Sequence, residues 1–358
     1  NTSASISGRA TGRISAAGML TGNEGVAFSP SISSGNAAFT IFEIQIDETP
    51  LVATEPIAIK LTPDAVTFER ANFAGGGSNV RISGTKAFSG DAHNDFSVVG
   101  KVNLSLFNAF VKDTFFSGIA DLNVRINGPN DTAKLNGKVE MLSSTLSTFV
   151  SGQRVSLERV KGTVIFTSSQ AQIQNATGVI GGGKVSISGG ARLDQNLELD
   201  ALKLDLRGEN VSVPLPKNFL TTGDVNLSIS SRRSAGKLSS FVSGRIGARR
   251  SIYATKIDLA DVIGKRRDSA LASSSTTTTS GFGDVTFDVL IEGRDALIVR
   301  NNLADLTASL SLRVTGDLNK PVIAGRIVAS SGTLFFRSER YEVQRAELIF
   351  PPNTSLEP

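Results

Sequence analysis

Apolar and polar residues alternate one by one through most of this chain. In the stretch NLELDALKLDLRG, 196–208, Leu197, Leu199, Leu202, Leu204 and Leu206 stand against Glu198, Asp200, Lys203, Asp205 and Arg207. A side-chain period of two is that of a β-strand with one apolar face and one wet face. The pattern recurs at Val102, Leu104 and Leu106; at Leu122, Val124 and Ile126; at Val225, Leu227 and Ile229; at Val285, Phe287, Val289 and Ile291; and at Leu306, Ala308, Leu310, Leu312 and Val314. Helical periodicity is confined to 106–115 and 257–265, each too brief for an independent helical layer, so both read as caps or plugs on a sheet. The segment KRRDSALASSSTTTTSGFG, 265–283, is too poor in apolar residues to order itself and is expected to be a flexible loop or linker.

Internal repeats organise these strands. Residues 125–166 align with 313–350: an alternating strand ends at Gly128 or Gly316, and nine residues bring the chain to Gly137 or Gly325, followed by a basic and a β-branched residue. A second pair, FERANFAGGGSNVRISG (68–84) and IQNATGVIGGGKVSISG (173–189), reads as strand, glycine-triplet turn, strand, glycine. The tripeptide Gly-Lys/Arg-Val/Ile is expected about half a time from composition. It occurs six times, beginning at Gly12, Gly100, Gly137, Gly183, Gly244 and Gly325. In this reading the glycine makes a tight turn or bulge, the basic side chain faces water, and the β-branched residue starts the next inward face. Units that cannot bury their own apolar face must stack on neighbours. Their irregular spacing favours a long antiparallel meander over a solenoid of fixed rung length.

Composition removes several chemistries. The 358 residues include no cysteine and a single histidine, His93, which sits among turn formers in DAHNDF. Disulfides, cysteine nucleophiles and His-based metal clusters are therefore out, and His93 reads as a solvated loop residue. No metal and no cofactor is expected. Asp194 and Glu198 form an acidic pair without a nucleophile, and the glycine triplets precede strands where a phosphate loop needs a helix, so the chain does not read as an enzyme. A net charge of +4 is spread among interspersed acids and bases, and with no tryptophan and two tyrosines the stacking platforms of nucleic-acid binders are missing. No apolar run is long enough to span a bilayer. The first residue, Asn1, leads us to expect a processed product or fragment whose signal or anchor lies outside the chain.

Only 6% of residues are aromatic, and helices to cover a sheet are nearly absent. The apolar face must then fold on itself as a sandwich, close as a barrel, or curl into an open trough around a non-protein apolar ligand. On the order of twenty strands at ~4.8 Å spacing would give a trough roughly 100 Å long, suited to a chain-like or streaming ligand.

The closing stretch VTGDLNKPVIAGRIVASSGTLFFRSERYEVQRAELIF resembles the last domain of the TamB/AsmA-like envelope proteins, with Gly316, Pro321, Gly325, Gly332, Thr333, Phe336 and Phe350 at the family's positions. Upstream, 135–193 is similar to the family's preceding repeat, including Gly162, Gly183 and Gly189; Ala133 stands where Pro321 stands in the later copy, which assigns that proline a turn-rigidifying role. The resemblance implies an all-β fold: an elongated, curled antiparallel sheet, a taco-like open groove built of irregular repeats with few short helices. It further implies a groove region over 1–264, the Ser/Thr-rich linker over 265–282, and a TamB-like C-terminal segment over 283–358 cut within its last repeat.

By the same resemblance the protein is non-enzymatic and sits in the periplasm of a diderm bacterium, anchored in the inner membrane by a segment outside this chain. It would move phospholipid between inner and outer membranes and support outer-membrane protein assembly. Its implied partners are phospholipid acyl chains, an Omp85-family outer-membrane barrel of the TamA type, and membranes at both ends, with no nucleic acid. The candidate lining of the groove is Val102, Leu104, Leu122, Val124, Ile126, Val185, Ile187, Leu197, Leu199, Leu202, Leu204, Leu206, Val225, Leu227 and Ile229. These residues could equally pack on one another in a closed sandwich; the resemblance favours the groove. Candidate partner-docking residues are Tyr341, Val343, Leu348 and Phe350, at strand edges that could accept an incoming strand. Two alternatives are a scaffold or chaperone that docks an Omp85-type barrel and assists β-rich clients, and a secreted β-repeat adhesin.

Overall fold

The computed structural model describes residues 6–21, 29–47, 49–88, 93–109, 114–129, 132–150, 153–195, 197–214, 218–234, 236–257, 284–317, 321–336 and 339–352. Within them the chain forms twenty-one strands and one 3-10 helix, and every strand belongs to a single hydrogen-bonded sheet. The fold is all-β, as the alternation requires. The chain divides into two compact units. One comprises Asn1–Leu146, Arg159–Ala176 and Gly190–Asp200; the other comprises Ser147–Glu158, Thr177–Gly189 and Ala201–Pro358.

The first unit contains β1 (Ile6–Thr21), β2 (Ser29–Ile46), β3 (Thr49–Ala53), β4 (Ile57–Leu61), β5 (Ala65–Gly75), β6 (Ser78–Ala87), β7 (His93–Asn103), β8 (Thr114–Ser117), β9 (Ile119–Pro129) and most of β10 (Lys134–Val150). β1 pairs with β2, β2 with both β3 and β4, and these with β5; β5, β6, β7, β9 and β10 then follow in antiparallel register. β7 pairs directly with β9. The described residues between them are the 3-10 helix Leu104–Ala109 and β8, which pairs with β10.

Directly opposed residues share a face, so the registers assemble the alternating residues into rows. Phe96, Ile126 and Leu135 form one; Ala71, Ile82, Val98 and Val124 the next; Phe73, Val80, Leu122 and Val139 a third; and Val102, Ala120 and Met141 a fourth. Two clusters are buried on this face. Ile57, Ala71 and Phe73 gather Phe39, Phe42, Ile44, Ile59 and Phe68, while Val102, Leu106 and Ala120 gather Ile46, Leu51, Val80, Leu122 and Met141.

β11 (Gln153–Thr167), β12 (Gln170–Ile180), β13 (Gly183–Leu193) and β14 (Leu199–Val213) contribute a segment to each unit, as does β10. The second unit adds β15 (Phe219–Ser234), β16 (Lys237–Tyr253), β17 (Asp284–Arg300), β18 (Ala304–Asp317), β19 (Pro321–Phe336), β20 (Glu339–Val343) and β21 (Ala346–Phe350). β14 to β16 and β17 to β19 run antiparallel, and β20 and β21 both pair with β19. β16 and β17, by contrast, are parallel, so the sheet is mixed rather than a pure antiparallel meander.

The two long repeats fold alike. β9 and β10 in one copy and β18 and β19 in the other form a hairpin, and β11 or β20 and β21 supply the next strands. In the earlier copy that third strand is continuous, with Arg159 at φ 51°; in the last copy it is broken in two. The glycine triplets make two-residue turns of the I′ kind, with Gly76 and Gly77 at φ 54° and 82° and Gly181 and Gly182 at 53° and 89°.

Gly12 stands at a register shift between β1 and β2 and Gly183 follows the Gly181–Gly182 turn, but the other four tripeptide glycines depart from the expected turn or bulge. Gly137 and Gly325 lie inside strands, at φ 126° and 131°, and a Cβ at either would overlap the carbonyl oxygen of Asn123 or Ser311 on the neighbouring strand. Gly100 and Gly244 share this geometry. These are kinks that bend a strand in mid-course and bring two backbones close together.

Other local readings also change. Of the 106–115 stretch, 106–109 lie in the 3-10 helix and 114–115 in β8, while 110–113 lie outside the described residues; Leu104 opens that helix instead of continuing a strand. Leu197 sits in a turn at φ 63°, and β14 begins only at Leu199. The helical stretch after Ile257 and the 265–282 linker lie outside the described residues.

Candidate functional site

The site is a surface of the second unit. β14 to β19 place Leu204, Ile229, Val242 and Phe287 in one row, Leu206, Leu227, Val289, Val314 and Ile323 in the next, and Val225, Ile246, Ile291 and Leu312 in a third, which ends at Phe350 of β21. Leu310, Ile327 and Leu348 extend a fourth. Each of the first three rows crosses five or more strands without a charged residue.

The opposite face is polar. Arg313 forms two hydrogen bonds with Asp288, at 2.7 and 2.6 Å; Arg245 pairs with Glu292, and Arg249 with Asp224. Its counterpart Arg125 in the earlier repeat binds Asp95 the same way, at 2.6 and 2.7 Å. The Arg313 hydrogen bonds hold the Asp288 carboxyl below the usual carboxylate range, and those of Arg125 do the same for Asp95. Asp224 is lowered by Arg249 and by the backbone N–H of Asn210.

Burial distinguishes this apolar face from a closed core. Among the residues of its first three rows only Val289, at 8% exposure, is buried; Leu204, Leu206, Val225, Leu227, Ile229, Val242, Ile246, Phe287, Ile291, Leu312 and Val314 are half-buried. Strand neighbours flank these side chains and leave their outer ends uncovered. The buried hydrophobic residues of the described chain are mainly alanines, eleven of nineteen, and the larger buried clusters belong to the first unit. A sheet whose big apolar residues remain half-open while alanines are covered has an apolar surface without a matching protein layer among the described residues.

The candidate lining residues divide accordingly. Leu202, Leu204, Leu206, Val225, Leu227 and Ile229 lie together on the second unit's apolar face, where Leu202 opposes the hydrogen-bonded serine pair Ser231–Ser240. Val185 is buried beside Gly208, and Ile187 is half-buried two residues further along β13. In the first unit, Val124 and Ile126 stand half-buried in their rows, whereas Val102, Leu104 and Leu122 are packed around Leu106. Leu199 is half-buried at the start of β14, and Leu197 is in the preceding turn. Val242, Ile246, Phe287, Val289, Ile291, Leu310, Leu312 and Val314 complete the surface; the alternation at 285–291 and 306–314 already marked most of them.

At the last strands Tyr341 opposes Leu334, Val343 opposes Gly332, Leu348 opposes Ile327 and Phe350 opposes Gly325. Tyr341 is 53% exposed, and Leu334, Phe336, Leu348 and Ile349 are exposed as well, whereas Val343 and Phe350 are half-buried. Among the described residues no group of three or more His, Cys, Asp or Glu could hold a metal ion, and no helix is long and apolar enough to cross a membrane.

A family model described as the TamB C-terminal domain matches residues 174–352. The chain belongs to this family. The matched span runs from β12 to β21, so the whole open apolar face and the exposed terminal edge lie within the TamB domain. Membership gives the protein a TamB-like role in the cell envelope. Comparison with curated proteins and with solved structures gives no match.

Proposed function

We propose that the apolar face of the TamB domain carries phospholipid acyl chains between the inner and outer membranes, and that this supply supports assembly of outer-membrane proteins. The reading rests on one observation: rows of large aliphatic side chains cross β14 to β19 half-open, opposite a face of ion pairs. Each methylene laid on such a surface contributes up to about 0.8 kcal/mol. Successive rows are chemically alike, so a chain sliding from one to the next loses little. In this reading the protein works without catalysis, in the periplasm. The test is a photo-crosslinking residue at Leu204 or Ile291 in cells. Phospholipid adducts are expected; crosslinks that go only to the same polypeptide would refute the conduit.

A second activity has its own support. The terminal edge, β20 and β21, exposes Tyr341, Leu348 and Ile349, and an exposed apolar edge strand is a template for strand addition. We propose that it docks an Omp85-type barrel partner. Binding of the purified protein to the periplasmic domain of such a barrel, lost on Tyr341→Lys with Leu348→Lys, is the expected result. Binding unchanged by both substitutions would move the dock elsewhere.

A further inference from the structure

Between β7 and β9 the 3-10 helix Leu104–Ala109 lands on the apolar face of the first unit. Leu106 is 7% exposed and packs on Val102 and Ala120, with Val80, Leu122 and Val139 around it. Polar bonds at both ends hold the helix there. Asn103 donates from Nδ2 to the Gly76 carbonyl at 2.6 Å and accepts from the Ser105 amide at 3.0 Å. Asn108 accepts from the Phe116 amide at 2.6 Å and donates to the carbonyl of the same residue at 3.1 Å. The excursion is thus clamped by two side-chain amides and touches the face through aliphatic carbon. Apolar contact has no direction, so Leu106 and an acyl chain offer the Leu122 row the same kind of surface. The row of Phe96, Ile126 and Leu135 lies outside this cluster and is half-buried, whereas the row of Val98 and Val124 runs into Ala71, which is buried in the other cluster.

We infer that Leu104–Ala109 is a built-in stop. It occupies the Val80, Leu122 and Val139 end of the first unit's apolar face and keeps acyl chains off it, leaving them the row of Ile126. This rests on the acyl-chain reading above, and the experiment separates the two. A photo-crosslinking residue is placed at Ile126 or at Val139 of the full-length protein in cells, and adducts are identified by mass spectrometry. The backgrounds are wild type, Asn108→Ala, which releases the clamp, and Leu106→Gln, which keeps the clamp and removes the aliphatic match. Phospholipid is expected at position 126 in all three. At position 139 it is expected only in the two variants, with a gain of roughly tenfold or more over wild type. Lipid at 139 equal to that at 126 in wild type overturns the stop, as does no gain in either variant while 126 stays loaded; both leave the acyl-chain reading standing. Lipid at neither position in any background overturns the stop; phospholipid adducts from Leu204 or Ile291 in the same cells would leave the acyl-chain reading standing, and none there would refute it as well.

Discussion

Ile57 and Ile291 are the same residue type on apolar faces of the two units, and truncating each to alanine measures what covers them. Ile57 is 1% exposed, in a cluster with Ala71 and Phe73. Ile57→Ala removes three carbons, about 2.4 kcal/mol of transfer free energy at about 0.8 each, and the cavity left behind raises the cost to about 3–4 kcal/mol. Ile291 is flanked by Ile246 and Leu312 but half-open to solvent. Its carbons are only partly withdrawn from water and no enclosed cavity forms, so Ile291→Ala should cost about 1 kcal/mol. With two compact units, whole-chain unfolding is not a single transition. The assay is therefore native-state hydrogen exchange, comparing amide protection across β4 to β6 with that across β17 and β18. Equal losses at both sites would mean that protein covers Ile291, and the open-face argument would fail.

Three other outcomes are expected. Gly325→Ala forces φ 131° on a residue with a Cβ and drives that Cβ into the Ser311 carbonyl, so it should cost about 2–3 kcal/mol, against about 1 kcal/mol for Gly236→Ala, a turn position at φ 78° with open space around it; similar costs would deny the kink its role. Because Asp288 and Asp95 titrate below the ordinary carboxylate range, their ion pairs add stability that is present above the unfolded-state pKa and lost as pH falls through the folded one. Carboxyl NMR titration should show Asp288 returning to the ordinary range in Arg313→Gln, and an unmoved midpoint would contradict the assignment. Tyr341→Lys and Leu348→Lys, at exposed edge positions, should each change stability by no more than about 0.5 kcal/mol while abolishing barrel docking.

Alternation told which residues share a face, and it told no more than that. Val102 has the same period as Leu206 and Leu227, yet it is buried in a cluster with Leu106 while the other two are half-open. What covers a row depends on elements distant in sequence, and a period of two carries no information about them. For the same reason Leu104 and Leu197 read as strand residues: the alternation runs on through a helix start and a left-handed turn that the backbone imposes. The repeats and glycine-triplet turns were legible because their chemistry is local. The kinks at Gly137 and Gly325 were located but misread, since a glycine with positive φ serves a turn and a mid-strand bend equally well. The parallel partner of β16 left no local trace.

That parallel pairing bears on how the protein comes into being. Hairpins such as β18–β19 close over a few residues, whereas β17 must find β16 across the thirty residues between Tyr253 and Asp284. Loop-closure entropy makes the longer search costlier by roughly 2 kcal/mol, slowing it on the order of thirtyfold if the cost falls in the barrier. β17 to β21 can zip together by local contacts alone, so they form a cassette that docks late on a waiting strand. Until it does, β16 is an unsatisfied edge, open to pairing with the wrong chain while the protein is still being assembled.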